Sequence, residues 1–118
     1  MKYLIPLFLL SAMPAVAEAP EIVVATAMAA PDGTTFRFGV TLRHPDTGWE
    51  HYADTWQIEA PDGTVLGVRK LDHPHEEEQP FTRSLSGVVV PEGLTRVRVR
   101  AHCLVDGWSR NTYVLTIR

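Results

Sequence analysis

The chain has 118 residues, of which 45% are hydrophobic and 21% charged. That length accommodates one small domain and hardly two. With 11 basic and 14 acidic side chains and a formal charge of −3, it lacks the surplus of cations by which nucleic acid and anionic lipid are bound.

Lys2 supplies a positive charge, Tyr3 to Leu10 is apolar apart from Pro6, and Ala15-Val16-Ala17 is a small-x-small cleavage signature. This pattern predicts a secretory signal peptide over residues 1–17 and a mature domain over 18–118. The apolar run falls short of the roughly 20 residues that span a bilayer. The expected location is therefore periplasmic or secreted, with no membrane insertion after cleavage.

From there the dominant signal is alternation with a period of two. Ile22 to Ala30 is an apolar first strand. Pro31-Asp32-Gly33-Thr34 is a turn, in which proline presets one dihedral and glycine accepts a positive one. Phe36, Phe38, Val40 and Leu42 then alternate with Arg37, Gly39, Thr41 and Arg43, so one face enters a core. Residues 44–54 form a loop with Pro45, Asp46 and Gly48. Trp56, Ile58 and Ala60 mark a third strand, with Trp56 as a core residue. Pro61-Asp62-Gly63-Thr64 repeats the earlier turn, and Val65 to Leu71 is a fourth strand.

Residues 72–80 are a polar loop containing Glu76-Glu77-Glu78, read as a solvated run. Phe81 to Val90 is a fifth strand, bent or bulged at Gly87, with Phe81 entering the core and Arg83 pairing with a loop acid. After the Pro91-Glu92-Gly93 turn, Arg96 to Val105 is the cleanest strand. Val97, Val99, Ala101, Cys103 and Val105 oppose Arg96, Arg98, Arg100 and His102. These arginines, with Arg37 and Arg43, either pair across strands with Glu59 and its neighbours or form an anion-binding ladder. Asp106-Gly107 is a turn, and Asn111 to Ile117 closes the domain.

Seven short strands in about 100 residues predict an all-β fold, a seven-stranded immunoglobulin-like β-sandwich. On this strand pattern, the core Trp56 and the Pro-Glu-Gly turn before the sixth strand, the chain resembles immunoglobulin-like and fibronectin-type-III domains. The paired cysteines of antibody domains are missing. Cys103 is the single cysteine and cannot form an internal disulfide. It reads as a small buried hydrophobe, with a thiolate ligand or an intermolecular bridge as the alternatives. The segments Gly48-Trp49-Glu50-His51-Tyr52, 61–67, His73-Pro74-His75 and 78–85 resemble a family of small secreted bacterial proteins of uncharacterised function. That resemblance implies a shared role but no particular activity.

Labelling the strands A, B, C, C′, E, F and G, the alternating direction of the chain puts the B–C, C′–E and F–G loops at one end. Those loops hold His44, His51, His73 and His75. His102 lies on F near the same end, with its phase pointing outward. Neutral imidazole is the commonest ligand for zinc and copper. In an extended segment His73 and His75 face the same side and can clasp one ion. The predicted metal site is His73, His75 and His102 helped by His51, with Glu76, Glu77, Glu78 or Asp106 as a carboxylate. Copper(II) or zinc suits nitrogen and oxygen ligands, whereas Met28 alone does not make a copper(I) site.

The alternative is a module that recognises an extracytoplasmic protein or glycan through Trp49, Tyr52 and Trp108, with the histidines as polar filler. Grouped imidazoles also allow a pH switch. Enzymatic chemistry comes last. No Gly-x-Ser-x-Gly elbow or His-Glu-x-x-His pair is present, and a small sandwich offers little concavity for a substrate.

Overall fold

The computed structural model describes residues 19–118, so the predicted signal peptide lies outside the described residues. Among the described residues there are eight strands: β1 Glu21–Ala29, β2 Thr35–Arg43, β3 Ala53–Glu59, β4 Val65–Lys70, β5 Phe81–Val89, β6 Arg96–Cys103, β7 Gly107–Trp108 and β8 Tyr113–Thr116. They form two antiparallel sheets in a sandwich-like arrangement, ordered β1-β2-β5 and β4-β3-β6, with β7 and β8 both on the far side of β6. Among the described residues no helix is long and apolar enough to cross a membrane.

The alternation read in the sequence becomes burial. Phe36, Phe38, Val40 and Leu42 on β2 face Trp56 and Ile58 on β3 and Val97, Val99 and Ala101 on β6, all of them 2% exposed or less. Each such apolar side chain contributes roughly 1.5–3 kcal/mol when removed from water. Phe81 is buried as expected, and Arg83 reaches Glu78 at 3.3 Å. Arg98 and Arg100 pair across strands with the buried Glu59 at 2.9 and 3.3 Å. Gly87 adopts φ 72° where the β2–β5 register slips, which is the expected bulge. The two Pro-Asp-Gly-Thr turns are built alike. Asp32 accepts the Thr34 amide and Asp62 the Thr64 amide, both at 2.9 Å, and these bonds hold both carboxyls below their ordinary range.

The strand count corrects the sequence reading, which expects seven. The sixth strand stops at Cys103 rather than Val105. Gly107, at φ 80°, turns the chain so that Gly107 pairs with Cys103 and Trp108 with His102. Ser109 then interrupts the ladder. Its hydroxyl accepts the Ala101 amide at 3.3 Å and donates to the Asn111 carbonyl at 2.9 Å. This is the local bonding by which serine diverts a strand. Pairing with β6 resumes at Tyr113 opposite Val99. The expected last strand, Asn111 to Ile117, is thus present as β8, and β7 is an additional short strand within the segment read as the F–G loop.

Connections β2–β3, β4–β5 and β6–β7 meet at one end. The His44 amide donates to the Gln79 side chain at 3.0 Å, and the Leu104 amide to the Tyr52 carbonyl at 3.0 Å. The β2–β3 connection therefore lies between the other two.

Candidate metal centre

His44 directly follows β2 and continues its inward phase, so its ring is buried with the core while the chain is already leaving the sheet. Asp46, two residues on, has a side chain with no solvent exposure. Its Oδ1 accepts from His44 Nδ1 at 2.6 Å and from the Ala53 amide at 3.0 Å, and its Oδ2 accepts from the His75 amide at 2.8 Å. A carboxylate that accepts from Nδ1 fixes the ring tautomer and leaves the Nε2 lone pair available to a ligand, as the outer partners of metal-bound histidines do. His44 Nε2 is buried and has no hydrogen-bond partner among the described residues.

That nitrogen faces a cluster. A short turn carries His51 back against His44. Its amide donates to the Gly48 carbonyl at 3.1 Å, the Thr47 amide donates to the His51 carbonyl at 3.0 Å, and the two rings meet edge-on with centroids 5.0 Å apart. Cys103 ends β6 on its inward face, and the turn behind it presents Asp106. Asp106 Oδ2 lies 3.0 Å from His51 Nε2, 3.5 Å from Cys103 Sγ and 3.9 Å from His44 Nε2. One ligand atom from each of His44, His51, Cys103 and Asp106 lies within 4.8 Å of the others. Donors around a tetrahedral zinc stand about 3.3–3.8 Å apart, given bonds near 2.0–2.3 Å, so no pair need close by more than about 1.5 Å to hold one ion. Burial pushes the Cys103 thiol above its ordinary value, the Asp106 and Val105 backbone amides oppose this, and the Asp106 carboxylate adds to it.

The predicted ligands are distributed differently. His51 belongs to the convergent set. His73 and His75 do come together, with ring centroids 4.5 Å apart. Three of their four nitrogens, however, are engaged or enclosed. His73 Nδ1 lies 3.0 Å from the Pro74 carbonyl, and His75 Nε2 accepts from Arg83 at 2.9 Å while its Nδ1 is buried. The His75 ring stacks on Phe81 at 3.9 Å, and burial, followed by the charges of Arg83 and His73, lowers its pKa. His102 is on the face of β6 opposite Cys103, where it pairs with Asp54 at 2.5 Å and meets Trp108 edge-on at 4.7 Å. Trp49 and Trp108 are both exposed, and Trp49 packs against Tyr52 at 5.7 Å.

Of the four convergent residues, sequence alone points to His51 as a principal ligand, with Asp106 among several carboxylates and Cys103 mainly a buried hydrophobe. A signal for the others exists: His44 extends the buried series Phe38, Val40, Leu42, and Cys103 extends Val97, Val99, Ala101. Two candidate ligands thereby end inward rows on strands of opposite sheets.

No family model matches the chain, and no solved structure matches it. Over 83 residues it is 45% identical to a protein of Halomicrobium mukohataei provisionally named a lipoprotein. The aligned stretch is 70% of this chain but 40% of that protein, so the chain spans less than half the length of this relative.

Proposed function

We propose that the protein is an extracytoplasmic binding module of immunoglobulin or fibronectin-III-like type that holds one divalent transition-metal ion, zinc or copper(II), between the β2–β3 connection and the β6–β7 turn. His44, His51, Cys103 and Asp106 are the ligands in this reading, and it is a binding role rather than a catalytic one. The observation that carries it is His44 Nε2, buried, unpartnered among the described residues and directed at Asp106. A neutral imidazole presents its lone pair to that carboxylate, and a cation between them turns a repulsive contact into two favourable ones. The extracytoplasmic setting is supported by the leader-like residues 1–17 and by the lipoprotein name of the relative. The fold type is supported by the strand order β1-β2-β5 against β4-β3-β6.

Calorimetric titration of the purified chain with zinc and with copper(II) tests this. One equivalent binds with a Kd below about 1 μM, a binding free energy of about −8 kcal/mol, and His44→Ala weakens it at least 100-fold. His73→Ala leaves it within twofold. No heat with either ion rejects the reading.

A second reading rests on the exposure of Trp49, 64%, and Trp108, 43%, at the same end. There the two tryptophans and Tyr52 recognise a protein or glycan. It predicts quenching of tryptophan fluorescence by that partner in the presence of chelator.

A further inference from the structure

We infer that this site is a closed zinc clasp that ties the two sheets together, rather than an open centre that offers its ion to a substrate. The inference rests on the metal-binding reading above and specifies the ion and its coordination.

His44 leaves β2 in one sheet, whereas Cys103 ends β6 in the other. His51 comes from the connection between the sheets, and Asp106 from the turn after β6. An ion held by all four crosses the sandwich at the position where a chain with a single cysteine cannot place a disulfide. The segment closed between His44 and Cys103 is about 60 residues, long enough for a cross-link to constrain the unfolded chain substantially.

All four coordination positions are supplied by the chain, which is the pattern of structural zinc; catalytic zinc keeps one position for water. Exposure agrees. The His44 side chain has none and Cys103 has none, while Asp106 retains 12% and His51 28%. Asp106 also lines a surface groove with Trp108, Ser109 and Tyr113. Its carboxylate thus occupies the side from which a small molecule in that groove approaches. Two nitrogens, a thiolate and a carboxylate in a compact set match tetrahedral zinc, whereas copper(II) favours tetragonal sets of nitrogen and oxygen.

Binding balances simply. The Cys103 S–H gives its proton to solvent, the His51 ring gives up the Nε2–H that faces Asp106 and takes a proton from solvent at Nδ1, which frees the Nε2 lone pair for the ion, and the bonds that converge on Asp106 Oδ2 are exchanged for bonds to the ion. His44 needs no rearrangement, since Asp46 already holds its proton on Nδ1.

Cobalt(II), a spectroscopic stand-in for zinc, provides the test on the full mature chain. The expected result is an intense tetrahedral spectrum with a sulfur-to-cobalt charge-transfer band. Zinc displaces it, Cys103→Ser abolishes the band, and excess azide leaves it unchanged. Asp106→Ala, at a partly exposed position, still binds cobalt but becomes azide-sensitive. If azide shifts the wild-type spectrum, or if copper(II) binds and zinc does not, the clasp is overturned while metal binding stands. If no ion binds, both fall. Should Cys103→Ser not fold, the azide response of wild type and Asp106→Ala decides alone.

Discussion

The side chain of Asp46 has no contact with solvent, yet its two oxygens gather three parts of the chain: the His44 ring, the amide that starts β3 and the amide of His75. Its removal leaves two buried N–H groups and the His44 Nδ1–H without acceptors, at about 1–3 kcal/mol for each unsatisfied group. Asp46→Ala is therefore expected to lower stability by about 3 kcal/mol or more in urea denaturation. Asp46→Asn, which retains an acceptor, is expected to lose less stability but to weaken zinc binding about 10–100-fold, as outer-partner mutations do.

His75 makes a separate prediction. Burial, then Arg83 and His73, depress its folded pKa, so the unfolded chain takes up the proton first. The associated stability is fully present above the unfolded value of about 6.5 and is lost as pH falls from there through the lower folded value. Denaturation midpoints measured from pH 7.5 to 5 should fall more steeply in wild type than in His75→Phe, which keeps the stack on Phe81 but does not titrate.

The sequence showed His51 and Asp106 as candidate ligands but not the partners that recruit them. His-x-His is visible as a spacing. That Arg83 donates to His75, and that Phe81 stacks on it, depends on contacts between a loop and a strand, which spacing does not encode.

At the scale of elements, β2 and β6 were legible to within a residue or two, because one face of each is wholly buried and alternation is then obligatory. The short strand β7 was not. Asn111 to Ile117 carries the pattern, but Gly107 and Trp108 pair with β6 through backbone geometry that hydropathy does not register. That short hairpin holds Cys103 and Asp106 in their relative positions, and it needs φ 80° at Gly107. Gly107→Ala introduces a side chain in the left-handed region at about 1–2 kcal/mol, since nothing within 4 Å crowds the added carbon. The loss of stability should be accompanied by at least tenfold weaker zinc binding, because Asp106 moves with the turn. Stability lost with affinity unchanged would separate the hairpin from the site.

For the molecule as a whole, the topology inferred from seven alternating strands brings the two histidine-bearing loops and the turn that follows β6 to one end, and the additional strand β7 does not disturb that result. It does change which side chains meet. Across a sandwich, the inward rows of opposite sheets converge, so His44 and Cys103 approach each other, while His102 is carried by the same strand to the opposite face. The end of the molecule is thus layered, with the candidate ligands innermost, the His75–Arg83 pair beside them, and Trp49 and Trp108 exposed.

Nitrogen NMR of histidine-labelled protein through a zinc titration separates these layers most directly, since each ring reports its own Nδ1 and Nε2. The Nε2 resonances of His44 and His51 are expected to shift and saturate together at one equivalent, with His73, His75 and His102 unchanged. A His44 ring that carries both protons and ignores zinc, or shifts confined to His73, His75 and His102, would contradict the account.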